Sequence, residues 1–199
     1  MECAIIEQVM KDQENHCCDE PNLPIEKYLQ VGSGFGRGLL VVGESPALNG
    51  WMKSGRAFYT LEGKIVPTGK NFLVNLKQIN PDLELGNISF TEISKCYIGT
   101  NRNKLDNCAK KTWTHFTEQI NYVNPNLIIL LGKKTTDIFN KLTTLDLKVG
   151  ELTEIKIGLD VRNILPIYHP SPLNPKRIQN AEFIDSNLTE IRQMLSKIS

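Results

Sequence analysis

Residues 39–46 read LLVVGESP, and residues 164–172 read ILPIYHPSP. Each stretch begins with an apolar run and then breaks at glycine or proline into polar side chains. In an open α/β sheet, the loops at the carboxyl ends of the strands form the ligand crevice. The two loops are far apart in the sequence, but such a sheet would bring them together to build one site.

Apolar runs alternate with helical patterns along the whole chain, and this alternation predicts the fold class. Strands are predicted at residues 39–42, 88–94, 127–131 and 164–167, with an edge strand within residues 148–157. Helices are predicted at residues 69–79, 108–123, 133–142 and near the C-terminus. The order indicates an α/β protein, a three-layer α/β/α sandwich with a central, mainly parallel four-stranded sheet.

Length and composition are those of an ordinary globular protein. We interpret residues 1–199 as one domain, in which residues 1–37 form an N-terminal helix and an approach loop. The net charge of +1 gives no global basic field, so nucleic-acid binding would depend on a local patch. No run has transmembrane length, and the first residues lack the pattern of a signal peptide. A cytoplasmic monomer with no membrane partner is therefore expected.

The chain has five cysteines: Cys3, Cys17, Cys18, Cys96 and Cys108. An odd number in a cytoplasmic protein argues against a disulfide framework. Buried free thiols and cluster ligands remain as the two alternatives.

The two opening loops resemble the motifs of the uracil-DNA glycosylase superfamily, which pairs a Gly-[Glu/Gln/Met]-x-Pro loop with a later His-Pro-Ser loop. Lys95-Cys96 and the later Cys108 are similar to the Lys-Cys…Cys segment of the family 4 and family 5 bacterial and archaeal enzymes. Residues 119–132 resemble their Gln-Ile…Pro…Leu-Gly segment. The resemblance covers roughly residues 38 to 195 and implies the same three-layer fold.

The resemblance implies roles for three side chains in hydrolysis of an N-glycosidic bond. Phe58 would stack on the flipped base; the alternative is a core phenylalanine beneath a loop. His169 would donate a hydrogen bond to the base carbonyl as negative charge develops there. Glu44 would orient water or stabilise the sugar cation, and its alternative is a loop carboxylate that caps backbone N–H groups. Ser45 stands where the best-known uracil glycosylases have an aspartate.

The same loops supply candidate binding residues. The turn formed by Gly43, Ser45 and Pro46 would contact the base edge. In the second loop, Leu173 would wedge into the gap left by the flipped base. The other candidate DNA contacts in that loop are Ser171, Pro172, Lys176 and Arg177. For Lys176 and Arg177 the alternative to phosphate binding is a solvated helix start.

The resemblance also implies an iron–sulfur cluster. Cys96 and Cys108 are spaced like the downstream pair of [4Fe–4S] ligands in family 4, whereas the upstream Cys-x-x-Cys pair of that family is absent. Cys17 and Cys18 are adjacent to one another and are the candidates for the other two ligands. Reduced buried thiols are the alternative.

Glu92 occupies the position at which the resembled enzymes have an asparagine that reads the base. An ionised carboxylate only accepts hydrogen bonds, whereas a protonated one offers a donor and an acceptor, as an amide does. Burial beside Glu44 would favour the protonated form. We expect Glu92 to read the base while neutral; selection of a base with an amino group, water binding, or a catalytic role beside Glu44 are the alternatives.

Together these interpretations predict a monofunctional glycosylase that excises uracil or a related deaminated base from DNA during base-excision repair. The alternatives are a DNA-binding protein of the same fold without catalysis, and a hydrolase of free nucleosides. The motifs do not distinguish uracil, hypoxanthine and xanthine as substrates.

Overall fold

The computed structural model describes residues 23–99, 103–157 and 160–196. Its strands are β1 (Leu29–Gln30), β2 (Leu39–Gly43), β3 (Ser89–Glu92), β4 (Leu127–Leu131), β5 (Thr153–Ile157) and β6 (Asp160–Ile167). Its α-helices are α1 (Pro67–Ile79), α2 (Lys104–Lys111), α3 (Trp113–Val123), α4 (Lys133–Thr143), α5 (Asn180–Ser186) and α6 (Leu188–Ser196). The described part of the chain thus alternates strands with helices, as predicted.

One sheet carries these strands in the order β1-β3-β2-β4-β6-β5. The four central strands run parallel to one another, and they are the four strands predicted from the apolar runs. The edge strand predicted within residues 148–157 is also present, as β5, which pairs antiparallel with β6. The remaining edge strand, β1, pairs antiparallel with β3 and was not predicted, because two residues are too few to show a period.

Helices cover both faces of the sheet, which confirms the three-layer architecture. On one face, α2, α3 and α4 pack over inward side chains of the sheet that include Leu40, Ile128 and Ile164. On the other face, α1, α5 and α6 pack over the alternate residues, such as Val41 and Ile129. Strands β2 and β4 are buried on both sides, and this explains their unbroken apolar sequences.

The helix predicted over residues 108–123 is two helices that meet at Thr112. The Thr112 hydroxyl donates a hydrogen bond to the carbonyl of Cys108, and the backbone turns there before α3 begins. The apolar spacing continues across the break, so periodicity alone does not reveal it. None of the described helices combines the length and the apolar composition that crossing a bilayer requires.

Candidate active site

The two loops that opened the sequence lie at the same edge of the sheet. Strand β2 ends at Gly43 and β6 ends at Ile167, and both pair with β4 in parallel. Because the two strands are separated only by β4, the loops begin about 10 Å apart, at two strand spacings. Side chains from both loops can span that distance, as predicted for a single crevice.

His169 is the second residue after β6, and one of its ring nitrogens accepts a backbone hydrogen bond. The backbone N–H of Ser171 donates to Nδ1 of His169 at 3.3 Å, so Nδ1 is an acceptor and carries no hydrogen in this arrangement. In the neutral ring the hydrogen is then on Nε2. The backbone immediately after β4 approaches closely at this point: a Cβ atom on Gly132, whose φ is +99°, would lie 3.1 Å from Cβ of His169.

Asn180 fixes the end of β6 immediately before the histidine. This first residue of α5 is fully buried. Its Oδ1 accepts from the Tyr168 backbone N–H at 2.9 Å, and its Nδ2 donates to the Tyr168 carbonyl at 2.8 Å. The amide therefore acts like a neighbouring strand and extends the pairing of β6 by one residue.

Two more asparagine amides hold the loop beyond that point. Asn174 donates to the His169 carbonyl at 3.0 Å, and Asn71 on α1 donates to the Pro170 carbonyl at 2.8 Å. None of the three asparagines was predicted from the sequence to support the site, because isolated asparagines near loops ordinarily indicate turns or helix starts.

The first loop runs along the neighbouring strand end. The backbone N–H of Ser94 donates to the Glu44 carbonyl at 3.1 Å, which ties the loop after β2 to the segment after β3. Glu44 and Ser45 are half-buried and Pro46 is buried. This places the candidate base-contacting turn and the candidate catalytic carboxylate at the crevice edge, with backbone hydrogen bonds that keep them there.

Phe58 adopts a left-handed backbone conformation with φ +67°. Such a conformation costs a non-glycine residue about 1–3 kcal/mol and is found mostly where the surrounding structure imposes it. The half-buried ring packs at 4.7 Å, edge to face, against Phe90 and at 5.6 Å against Phe72. Phe58 thus joins the core, as the alternative predicted, while part of the residue stays accessible.

Glu92 ends β3, in register with Gly43 on β2. It is only 6% exposed, and its Oε2 atom has no hydrogen-bond partner among the described residues. Burial raises the pKa of the carboxyl to about 8, against the opposing charge of Lys95. The prediction that burial favours the protonated form is supported by this environment.

Lys95 is completely buried beside the same strand end. Its Nζ atom contacts the hydroxyl of Thr91, the backbone carbonyl of Glu92 and Oε1 of Gln119. These three acceptors match the three N–H donors of an ammonium group. Burial lowers the pKa of Lys95 to about 7, with Glu92 opposing that shift.

The second loop presents one large apolar side chain to solvent: Leu173 is 93% exposed. Lys176 lies beside it with its Nζ atom 5.4 Å from the ring centre of Tyr168. Arg177, in contrast, folds back and donates from Nη1 to the carbonyls of Pro172 and Asn174. The Arg177 guanidinium therefore stabilises the loop. Neither sequence interpretation of Arg177, phosphate binding or a solvated helix start, included this structural function.

Ser171 and Pro172 form the turn that shapes this loop. The Ser171 hydroxyl accepts from the backbone N–H of Leu173 at 3.3 Å, and the Ser171 carbonyl accepts from the backbone N–H of Asn174 at 3.0 Å. Pro172 is exposed. These contacts give both residues a structural function in presenting Leu173.

Cys96 and Cys108 are both buried and are joined in a disulfide. The expectation of free thiols is therefore wrong for this pair: the cysteine count gives no information on which two side chains the fold brings together. Cys17 and Cys18 lie outside the described residues.

A [4Fe–4S] cluster requires four thiolates, and the described residues include two of the four predicted ligands. They supply only the two sulfur atoms of Cys96 and Cys108, which are bonded to each other. Within the described ranges there is no group of three or more metal-binding side chains.

Comparison with known protein families agrees with the geometry. A sequence model of the uracil DNA glycosylase superfamily matches residues 31–192, which is most of the chain. A search of curated proteins gave no match. The match spans the described sheet from β2 to β6, including both loops of the crevice. The chain belongs to the uracil DNA glycosylase superfamily.

Proposed function

We propose that the protein is a monofunctional DNA glycosylase that hydrolyses the N-glycosidic bond of uracil or a related deaminated base in DNA. Superfamily membership indicates glycosylase chemistry in general. The observation that carries the proposal is the hydrogen bond from the Ser171 N–H to Nδ1 of His169, which in the neutral ring places the hydrogen on Nε2, the atom that would donate to a leaving base.

In the proposed reaction the target nucleotide leaves the helix and its base enters the crevice. The ring of Phe58 stacks on the base, and the Gly43–Pro46 turn contacts its edge. As the glycosidic bond breaks, negative charge grows on the base carbonyl, and the hydrogen bond from His169 strengthens. Glu44 orients the attacking water or stabilises the positive charge on the sugar.

The proposal of a monofunctional enzyme is supported by the contacts of Lys95. A glycosylase that also cleaves the DNA strand uses an amine as its nucleophile. Lys95 follows β3, next to the crevice, but its amine is buried and contacts three acceptors of the protein. We therefore expect water to be the nucleophile and the product to be an intact abasic strand.

Contact with duplex DNA is assigned to the second loop. The exposed Leu173 enters the gap left by the base, and Lys176 meets a phosphate. Arg177 is not needed for phosphate binding in this scheme, because its guanidinium holds the loop that carries Leu173.

The test is excision from labelled oligonucleotides that each contain one uracil, hypoxanthine or xanthine, as duplex and as single strand. The expected result is an alkali-labile site with at least one of these bases and no strand break before alkali. A gel shift without alkali-labile sites would support a non-catalytic binding protein instead. Release of base from free nucleosides, with no competition by DNA, would support a nucleoside hydrolase.

The iron–sulfur cluster stays a separate proposal, which requires reduced Cys96 and Cys108 together with Cys17 and Cys18. Iron and acid-labile sulfide in anaerobically purified protein would support it. Their absence, with Cys96 and Cys108 recovered as a disulfide in a peptide map, would remove it.

A further inference from the structure

Trp51 is a large aromatic side chain that the proposed reaction does not use, although it lies in the loop that carries half of the site. It falls within a wide helical turn, Leu48–Met52, between the Gly43–Pro46 turn and Phe58. Loop residues are ordinarily accessible to solvent, yet Trp51 is only 7% exposed. The partners that bury it indicate what the residue does.

Trp51 packs against Phe90 of β3, which links the two parts of the first loop. Their ring centres are 5.1 Å apart, and the ring planes are inclined by 57°. Phe90 in turn meets the ring of Phe58 edge to face at 4.7 Å. Phe90 also lies against Gly43, because an added Cβ atom there would be 3.0 Å from Cζ of Phe90. Trp51 therefore supports the one side chain that contacts both the base-contacting turn and the candidate stacking ring.

Tyr28 contacts Trp51 from the segment before β1 (residues 25–28). The two ring centres are 5.7 Å apart, and the planes are nearly perpendicular at 77°. The backbone of Tyr28 is left-handed, with φ +48°, which a non-glycine residue adopts mostly where surrounding contacts impose it. One such contact is the hydroxyl of Thr91 on β3, which donates to the Tyr28 carbonyl at 3.0 Å.

Gln119 of α3 fixes the same segment from the helix side. Its side chain is fully buried, and its Nε2 donates to the carbonyls of Ile25 and Lys27 at 2.9 and 2.8 Å. Its Oε1 accepts from Nζ of Lys95, which holds the amide in this orientation. Three carbonyls of the segment are thus bonded to the body of the protein. Tyr28 cannot withdraw from Trp51 without straining these bonds.

We propose that Trp51 is a positioning residue for base capture. Held by Tyr28, it keeps Phe90 against Phe58 and so sets the plane of the candidate stacking ring. A ring whose plane is already fixed loses little freedom when a base stacks on it, and this preorganisation favours binding. The inference rests on the proposed function, and it makes the segment before β1 a part of the substrate site.

The first experiment measures steady-state kcat and KM for uracil excision in Trp51→Leu, Trp51→Phe and Trp113→Leu. Trp113 is the matched control, because it is the other tryptophan of the chain and also contacts two phenylalanines, Phe116 and Phe139, on the opposite face of the sheet.

Trp51→Leu should raise KM about 3- to 10-fold, the range expected when an aromatic contact is lost. Its kcat should stay within about twofold of the wild type, because the substitution weakens capture of the base and leaves the groups that act on the bond in place. Trp51→Phe keeps an aromatic ring against Phe90 and should restore most of the wild-type KM. Trp113→Leu should lose stability and keep the wild-type KM.

A double-mutant cycle tests whether Trp51 acts through Phe58. When Phe58→Leu is already present, Trp51→Leu should raise KM little further, because the ring that Trp51 positions is missing. Trp113→Leu should leave the effect of Phe58→Leu on KM unchanged. Two factors for Trp51 and Phe58 that simply multiply would refute the positioning function, since a structural Trp51 would act independently of Phe58.

The possible outcomes separate this inference from the function on which it rests. No excision by the wild type would refute both. Excision with a wild-type KM in folded Trp51→Leu would refute the inference alone, and so would an equal rise of KM in Trp113→Leu. If Trp51→Leu does not fold, Tyr28→Leu, at a half-buried position, takes its place with the same expected results.

Discussion

Asn180→Ala should impair excision without any contact between Asn180 and DNA. The alanine removes both hydrogen bonds that the amide makes to the backbone of Tyr168. Each bond is worth about 1 kcal/mol net, and leaving the half-buried Tyr168 N–H and carbonyl unpaired adds to the cost. We therefore expect the free energy of unfolding to fall by about 2–4 kcal/mol.

The larger effect should be on catalysis. Tyr168 precedes His169, so loosening its backbone displaces the imidazole from the leaving base. A misplacement of about 1 Å can cost about 10²-fold in rate. We expect a loss of this order in the single-turnover rate constant for uracil excision, with little change in the Kd for uracil-containing duplex.

The assays are chemical denaturation for stability, single-turnover excision for rate and a gel-shift titration for binding. Asn187→Ala is the matched control, because Asn187 also holds a backbone carbonyl, that of Phe183, but at the far end of α5. The control should lose some stability and keep the wild-type rate. A folded Asn180→Ala protein that excises uracil at the wild-type rate would refute the positioning argument, as would equal rate losses in both variants.

Two further substitutions test the candidate base and DNA contacts. Phe58→Leu retains apolar contact with Phe72 and Phe90 but removes the aromatic face, so KM for excision should rise whereas the free energy of unfolding should fall only slightly. An unchanged KM in steady-state assays would show that Phe58 has a purely structural function. Leu173→Ala, at a position 93% exposed, should leave Tm unchanged and slow excision from duplex more than from single strand, and an equal effect on both substrates would remove Leu173 as a wedge.

The sequence predicted those features that periodicity and motif order encode. The four parallel strands followed from apolar runs, and β5 from alternation. The positions of Glu44, Glu92 and His169 at one sheet edge followed from the rule that strand ends converge. Glu92 could also be predicted to be buried, because it lies near the end of a predicted strand.

Other features depend on contacts between distant residues, which a single sequence does not display. The Asn180 amide bonds to the backbone just after β6 as a neighbouring strand would, yet the sequence around Asn180 is typical of an ordinary helix start. In the sequence Arg177 resembles a phosphate ligand, and only the structure shows that its guanidinium donates to two backbone carbonyls. The pairing of Cys96 with Cys108 likewise depends on the fold, which brings Cys96 against α2, and the number of cysteines does not reveal it.

The catalytic function proposed for His169 can be tested by single-turnover excision of uracil from DNA by the wild type and by His169→Ala, combined with the Kd of each protein for the same DNA. The Nε2 hydrogen of His169 acts mainly as charge develops on the base, so the variant should bind DNA as the wild type does. Its excision should be slower by about 10²–10³-fold, the usual effect of removing one such donor. Near-normal excision by a folded His169→Ala protein would contradict the claim that this loop carries the catalytic group.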